Sequence, residues 1–565
     1  MVMQREPKKR SINRFWLTAL IHLDSIRISP KIYAMALLWR ARGMRVRSRN
    51  MLASLLATSR YAYPLWISKQ VSPQGDRDLA TVPQLAQQLL PVVEHGADAT
   101  ALQRTLESLA LSGLGQAVII LLDEQIDPPA EQDIAGVRTH ISRSLSDFLD
   151  HIGQLKPAWL LPMLSGDRIS PAAPAEYDAY VRRGDSGVVY ADDDALDDAG
   201  IRHSPHFKPD WNPELFEHQD YLSFACIVRA EHVVALRHWS SMDWARDLVT
   251  AALGAGTKRP AHLPAVLHHR TGRTDAMIKA PPVAPGLFAS DAPSVTIIIP
   301  TRNHIDILRT CLEGVRKTSY PNFKCVVVDN DSDDPEILEL FASFDGNKFS
   351  CLKFPGEFNY SKINNYAVEM TQSDFICFLN NDIEMRDSQW LDILMAHAIK
   401  PGIGAVGPKL LYPDQTIQHA GIVLGMGGAA GHAHRFSPNT EATYFNRPHL
   451  PQRISAVTGA CLVVRRAYFE KTGGLDEVNF PVAFNDVDLC LKLTKVGLIN
   501  IYEPLATLIH HESLSRGSDM LKSNKNRFRM ELANLKAIWH TDSIVDPWHN
   551  INLSRLTEQF IIDLL

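Results

Sequence analysis

The segment that most narrows the possible folds is Ser294 to Asp333, SVTIIIPTRNHIDILRTCLEGVRKTSYPNFKCVVVDNDSD. An apolar run, Val295 to Ile299, stops at Pro300. Apolar residues then recur at helical spacing (Ile305, Leu308, Leu312, Val315), Ser319-Tyr320-Pro321-Asn322 supplies a turn, and a second apolar run, Cys325 to Val328, ends in acidic residues. The pattern predicts a β-α-β unit. Strands of near-continuous apolar sequence belong to parallel sheets covered on both faces, and open α/β sheets bind ligands at the carboxyl ends of their strands. Thr301-Arg302-Asn303 and Asp329-Asn330-Asp331 occupy those ends, which makes them candidates for binding.

The pattern continues with a helix near Ser361 to Thr371, a strand Phe375 to Leu379 ending in Asn380-Asn381-Asp382, and a helix from Ser388 to Ile399. Residues 86 to 270 repeat this layout in weakened form. Gln87 to Val93 is the first strand there, Leu102 to Ala110 the helix, and Ala117 to Leu122 the second strand. Trp159 to Leu164 then runs into Ser165-Gly166-Asp167, in the place of Asn380-Asn381-Asp382, and Leu263 to His269 (LPAVLHH) echoes Leu505 to His511 (LATLIHH). The chain therefore reads as two tandem copies of one α/β fold. The expected division is a basic helical segment over 1–70, a first copy over 71–275, a linker over 276–293, a second copy over 294–520 and a helical tail over 521–565. Prolines at 260, 264, 281, 282, 285 and 293 mark the junction.

At 565 residues, 45% hydrophobic and 21% charged, the chain is neither a disordered nor a collagen-like sequence, and no apolar run approaches the eighteen residues of a spanning helix. Its seven cysteines are scattered without a CxxC, which predicts buried free thiols and a reducing, cytoplasmic setting, and no secretory signal is evident. Charge is uneven. Residues 1–60 carry thirteen Lys/Arg against Glu6 and Asp24, so this segment is +11 in a chain whose net charge is -5. Arg40, Arg42, Arg45, Arg47 and Arg49 lie beside Ile32, Tyr33, Met35, Leu38 and Trp39, a mixture that suits peripheral contact with the inner face of the cytoplasmic membrane or, equally, a solvated basic helix. No nucleic-acid partner is expected, because the remainder is acidic and no reading module occurs.

Three clusters carry chemistry. A carboxylate at the end of a buried strand is costly unless paired or bound to a cation, so Asp382 suits a hard divalent ion held with Glu384 or a distant ligand and substrate phosphates; an Asx-turn is the alternative. In Asn485-Asp486-Val487-Asp488, Asn485 is placed as an N-cap with Asp488 three residues on, which leaves Asp486 free to act as a general base or merely to complement the helix dipole. His510-His511 closes a strand, where an imidazole completes a metal shell, touches phosphate, or is simply polar. The Gly-rich stretch ending in His432 and His434 predicts a mobile loop; it lacks the context of a dinucleotide fingerprint and the partner pair that zinc needs.

Taken in order, these residues resemble the family 2 glycosyltransferases, over about Ser294 to Gly517. The carriers are Ile299-Pro300-Thr301-Arg302-Asn303, Val328-Asp329-Asn330, FNYSKINN from Phe358, LNND ending at Asp382, VGPKLLYPDQTIQHAG from Val406, SAVTGACLVVRR from Ser455, FNDVDLCLKL from Phe484, HHESLSRG from His510, and the closing DPWHNINLS from Asp546. More narrowly, the chain is similar to the bacterial group that builds O-antigen and other surface polysaccharides, often with rhamnose. The resemblance implies two copies of the GT-A fold, an inverting transfer from a nucleotide-diphosphate sugar, and a glycan or lipid-linked oligosaccharide as acceptor.

By position, the resemblance implies that Thr301 and Asp329 hold the nucleoside, with Asn303, Asp331, Asn380 and Asn381 around the donor. Asp382, the last residue of the family's DxD-type motif, would bind Mg²⁺ or Mn²⁺ at the diphosphate, with His510 or His511 as the distal contact. Asp486 would be the catalytic base, with Asp488 beside it. Asn380 and Asn485 stand where many members carry acids.

The first copy resembles the same family around Tyr190-Ala191-Asp192-Asp193-Asp194 and Phe207-Lys208-Pro209-Asp210-Trp211, yet Ser165-Gly166-Asp167 and Ser241-Met242-Asp243-Trp244 replace its metal and base motifs. It is expected to be degenerate. The rival to an enzyme is a non-catalytic nucleotide-sugar or glycan-binding scaffold with two decayed domains.

Overall fold

The computed structural model describes residues 14–565 apart from 71–83, 97, 124–125, 127–132, 135, 237–242, 255–257, 274–290, 441–442 and 512–524. Most of the expected linker, together with Ser241-Met242 and the Glu512 to Gly517 part of the last motif, lies outside the described residues.

Two ten-stranded sheets hold the chain. The first is built from β1 (Leu89–His95), β2 (Val118–Leu122), β3 (Asp133–Ile134), β4 (Val137–Ser142), β5 (Trp159–Leu164), β6 (Arg168–Ile169), β7 (Val188–Leu196), β8 (Arg202–His206), β9 (Cys226–Arg229) and β10 (Ala261–Arg270). The second uses β11 (Val295–Thr301), β12 (Phe323–Asp329), β13 (Phe349–Lys353), β14 (Phe375–Leu379), β15 (Ile383–Met385), β16 (Ile403–Leu411) and β17 (Ile417–His419); β18 (Ile422–Leu424) and β19 (Ala430–His432) form a separate hairpin, and β20 (Gln452–Ile454), β21 (Cys461–Arg465) and β22 (Ile499–His510) complete the sheet.

Their strand orders coincide: β4-β2-β1-β5-β9-β7-β10-β6 in the first and β13-β12-β11-β14-β21-β16-β22-β15 in the second. Each corresponding pair also has the same sense. For example, β1 is parallel to β2 and β5 as β11 is to β12 and β14, and β10 is antiparallel to β6 as β22 is to β15. The α/β class and the tandem arrangement are as expected.

Strand ends differ from expectation by a residue or two. The β-α-β unit runs β11, helix Ile305–Arg316, β12, and its strands extend through Thr301 and Asp329, which are in register with each other. Every residue of β11 and β14 is buried, because apolar layers cover both faces of the sheet.

Four N-terminal helices, α1 (Arg14–Ile28), α2 (Pro30–Ala41), α3 (Arg45–Ala57) and α4 (Ala62–Gln70), precede the first sheet. Their buried side chains, among them Leu17, Ile21, Leu56 and Trp66, cluster with Phe207 of the first copy, with Val423, Met426 and Ala433 around the β18–β19 hairpin, and with Phe560 near the C-terminus. Within the second copy, α5 (Asn485–Lys495) lies just before β22, and α6 (Lys525–Trp539) follows it.

The tail is helical only as far as α6. Beyond it an irregular segment crosses both copies: Asp546 Oδ2 accepts from Leu424 N (2.7 Å), while Asn550 Nδ2 donates to both Asp192 oxygens (3.1 and 2.9 Å) and to Lys208 O (2.9 Å). Pro547 and the side-chain-to-backbone bonding of Asn550 and Asn552 oppose a helix there. Arg453 joins the copies a second time through a bidentate pair with Glu214 (2.6 and 3.1 Å).

Candidate active site

A cleft of about 800 Å³ opens at the carboxyl ends of β11 and β14. Thr301, Asn380, Asn381, Asp382, Asp486 and His510 all line it, so six of the expected residues, spread over 209 positions of sequence, meet at one cleft.

The sheet explains the convergence. Thr301 ends β11, and its Oγ1 accepts from Asn381 Nδ2 (2.9 Å), which ties the turn after β14 to the strand beside it. Asn380 N donates to Ala460 O (2.9 Å). Antiparallel pairing of β15 with β22 sets Ile383 opposite His510, so the preceding Asp382 meets the imidazole: His510 Nε2 lies 3.1 Å from Asp382 Oδ1. His510 Nδ1 is 2.9 Å from Gln418 Oε1, an acceptor only. The Gln418 carbonyl therefore accepts from Nδ1, which leaves Nε2 as the nitrogen that faces the Asp382 carboxylate. A lone pair facing a buried anion is unfavourable unless a proton or a cation lies between them.

That donor pair fits a divalent metal that completes its shell with phosphate oxygens and water; among the described residues no group of three or more His, Cys, Asp or Glu is arranged to hold one. The adjacent His511 is bound elsewhere, with Nε2 2.9 Å from Glu384 Oε2 and its N–H on Asp382 O (3.0 Å).

Asp486 occupies the first turn of α5, half-buried. Its Oδ2 accepts from Gly459 N (2.9 Å) and its Oδ1 from Val487 N (2.8 Å). Burial pushes its carboxyl above the usual carboxylate range, against these backbone bonds. Asn485 does not cap α5 as its spacing suggests. The helix begins with Asn485 inside it, Phe484 precedes it in a left-handed conformation (φ 60°), and Asn485 Nδ2 donates back to Val482 O (2.8 Å). Nor does Asp488 close a capping box or line the cleft: it is buried against Lys492 Nζ (2.6 Å) and Trp539 Nε1 (2.9 Å), joining α5 to α6.

Asn303, Asp329 and Asp331 form a loop cluster next to the cleft and do not line it. Asn303 and Asp331 adopt left-handed φ of 53° and 57°. Asn303 brackets residues 333–334 through both ends of its amide, Asp329 Oδ1 accepts from Ser332 N (3.0 Å), and Asp331 Oδ2 from Gly356 N (2.8 Å).

The glycine-rich stretch is not a loose loop. It is the β18–β19 hairpin, whose Met426, Gly427 and 429–432 also line the cleft, and it is tied to the tail by Gly427 N on Arg555 O (2.8 Å), His434 N on Glu558 O (2.8 Å) and His432 N on Glu558 Oε1 (3.0 Å). Arg302, expected at the end of β11, also lines the cleft, whereas Gln418 and Tyr360, whose hydroxyl donates to Gly459 O (2.8 Å), were not singled out by sequence. Gln418 sits in a quoted motif, but only the three-dimensional pairing of β17 with β16 brings it beside a histidine 92 positions away.

In the first copy the equivalent positions are internally occupied. Asp167, at the place of Asp382, is buried against Arg270 Nε (3.2 Å) and Thr271 N (2.9 Å). Trp244, 1% exposed, starts the helix at the place of α5 and donates to Glu94 Oε2 (3.0 Å). Asp193 pairs with Lys208 Nζ (2.7 Å) and Arg273 Nε (2.7 Å), and Asp194 with Tyr63, Arg202 and His269.

Residues 296–473 match the model of "Glycosyl transferase family 2". The chain is 36% identical over 425 residues to an uncharacterised protein of Sinorhizobium fredii (67% of this chain, 46% of that one) and 35% identical over 393 residues to the O-antigen biosynthesis protein RfbC of Myxococcus xanthus (63% and 31%). It thus spans less than half the length of these curated relatives. A solved mannosyltransferase from Pyrobaculum calidifontis, in complex with GDP-Man and Mn²⁺, is similar over 48% of this chain and 71% of its own at 17% identity and a TM-score of 0.35. With the match running from β11 past β21 and the cleft at its strand ends, residues 296–473 form a domain of the glycosyl transferase family 2.

Proposed function

We propose that the second copy transfers a hexosyl or rhamnosyl group, with inversion, from a nucleotide-diphosphate donor to a hydroxyl of a glycan or lipid-linked acceptor in bacterial surface-polysaccharide synthesis. The observation that carries this reading is the shared cleft, in which an Asp382–His510 donor pair and a separate carboxylate, Asp486, face one volume. Asp382 and His510 would hold Mg²⁺ or Mn²⁺, which when bound offsets charge on a departing nucleoside diphosphate. Thr301, Asn380 and Asn381 position the donor, while the loop cluster of Asn303, Asp329 and Asp331 shapes the nucleoside end.

Asp486 takes the proton from the acceptor hydroxyl. Its oxygens are oriented by Gly459 and Val487 N–H groups, and its raised pKa brings its basicity nearer to that of a working general base. An in-line attack from Asp486's side then inverts the anomeric centre, and the cleft excludes water. The first copy, with its strand-end carboxylates consumed by internal cations, serves as a packing platform.

The test is a titration of UDP, GDP and dTDP, with and without Mn²⁺ or Mg²⁺, against wild type and Asp382→Ala. Metal-dependent binding of one nucleotide, lost in the variant, supports the reading. No binding by folded protein favours the scaffold.

A further inference from the structure

The N-terminal helices present two faces of opposite character. One is the buried face that packs against the cleft-lining hairpin through Met426. The other leaves large apolar side chains in water: Trp16 is 62% exposed, Leu23 55%, Ile28 50%, Met35 48%, and Leu37 and Leu38 47% each. Such a concentration is unusual on a soluble surface and marks a docking site.

Charge identifies the occupant. Arg40, Arg42, Arg45, Arg47 and Arg49 are all exposed at the end of α2 and the start of α3, and among the described residues none of them pairs with a carboxylate; Arg42 and Arg47 instead flank Trp39, at 5.7 and 4.1 Å from its ring. Asp24 is the single acid between residues 14 and 60. With 15 and 12 residues, α1 and α2 are too short to cross a bilayer, and no helix among the described residues is long and apolar enough to do so. Helices that combine an exposed aromatic-aliphatic face with arginines lie in the plane of an anionic interface.

We propose that α1 and α2 dock this protein on an anionic phospholipid surface, apolar side chains in the acyl boundary and arginines among the phosphates. The bundle seats directly on the β18–β19 hairpin, so docking sets the mouth of the cleft at a fixed height above the bilayer. This last step rests on the transferase reading, since it matters for an acceptor carried on a lipid.

The experiment is flotation of the full chain with vesicles of phosphatidylcholine alone and of equal parts phosphatidylcholine and phosphatidylglycerol. The protein is expected to float with the anionic vesicles, less so at high salt, and to stay behind with the neutral ones. Trp16→Ser/Leu37→Ser/Leu38→Ser and Arg40→Glu/Arg45→Glu/Arg49→Glu should each reduce the bound fraction about tenfold or more. Both sets lie on exposed positions, so melting temperature and nucleotide binding should be unchanged. Wild type that stays with the protein fraction, or an apolar triple variant that floats as well as wild type, overturns the proposal. A dimer in sedimentation, abolished by the apolar variant without any flotation, would assign the face to a second copy of the chain instead. Because flotation needs no nucleotide, it can succeed while the transferase reading fails, and the reverse.

Discussion

At Asp486 burial and hydrogen bonding oppose each other. Burial raises its pKa, while N–H groups from Gly459 and Val487 lower it, and the net direction is upward. A base must be ionised to accept a proton, so the rate should fall as pH drops through a value above the ordinary carboxylate range, visible in the acid limb of kcat. Asp486→Asn should lower kcat by about 10²- to 10⁴-fold while nucleotide binding persists. Gln418→Leu removes the acceptor that orients His510 through Nδ1, and should weaken metal-dependent nucleotide binding by about 10- to 100-fold, measured by the same titration. Glu94 in the first copy tests the opposite case. Burial lifts it to about 7, partly offset by the Trp244 bond. An acid whose folded pKa is raised stabilises fully below its unfolded pKa and loses that contribution as pH rises through the folded value. Glu94→Gln should therefore gain melting temperature relative to wild type between pH 5 and pH 8, about the window set by that shift and the ordinary Glu value.

Elements differ in how far they could be read from sequence. The β-α-β unit was legible because strands buried on both faces leave an uninterrupted apolar signature, and the strand Phe375–Leu379 matches its expected bounds. Asp382 and His510 were legible as polar strand ends, but their pairing came only through the family resemblance, which left His510 and His511 open, since the β15–β22 register that selects His510 is set by tertiary packing. Asn485 misled because capping preference is local, whereas the turn into α5 is held by Phe484 in a left-handed conformation and by the Val482 carbonyl. The glycine-rich hairpin misled for a related reason. Glycine there answers close approach and turn geometry: at Gly425 φ is 82° and a Cβ would come within 3.2 Å of Ile544 O, and at Gly421, just before β18, φ is 94° and a Cβ would come within 2.5 Å of Ile454. Gly421→Ala should cost about 1–3 kcal/mol in denaturant unfolding, from overpacking and a disfavoured φ together.

Across the whole molecule, matching strand orders mean that one fold has been used twice with different demands. In the second sheet, polar strand ends remain turned to a cleft. In the first, three consecutive aspartates on β7 are satisfied from four places: α4 through Tyr63, the turn after β10 through Arg273, the strand ends of its own sheet, and the tail through Asn550. Asp193 is held well below the usual carboxylate range by Lys208 and Arg273 despite burial, so its contribution is present above the ordinary carboxylate pKa and survives far into acid before it is lost. Removing Asn550 strips donors from the buried Asp192, so Asn550→Ala should destabilise by about 1–3 kcal/mol in urea unfolding.

The tail segment around residues 546–552 touches the hairpin of one copy through Leu424 and the aspartate strand of the other through Asp192. A short strap that binds two bodies makes their melting one event. Heating should give a single calorimetric transition for the intact chain, and two once the strap is cut by Asn550→Ala/Asp546→Ala and the second joint by Arg453→Ala, with the strap variant alone giving a lower and broader transition.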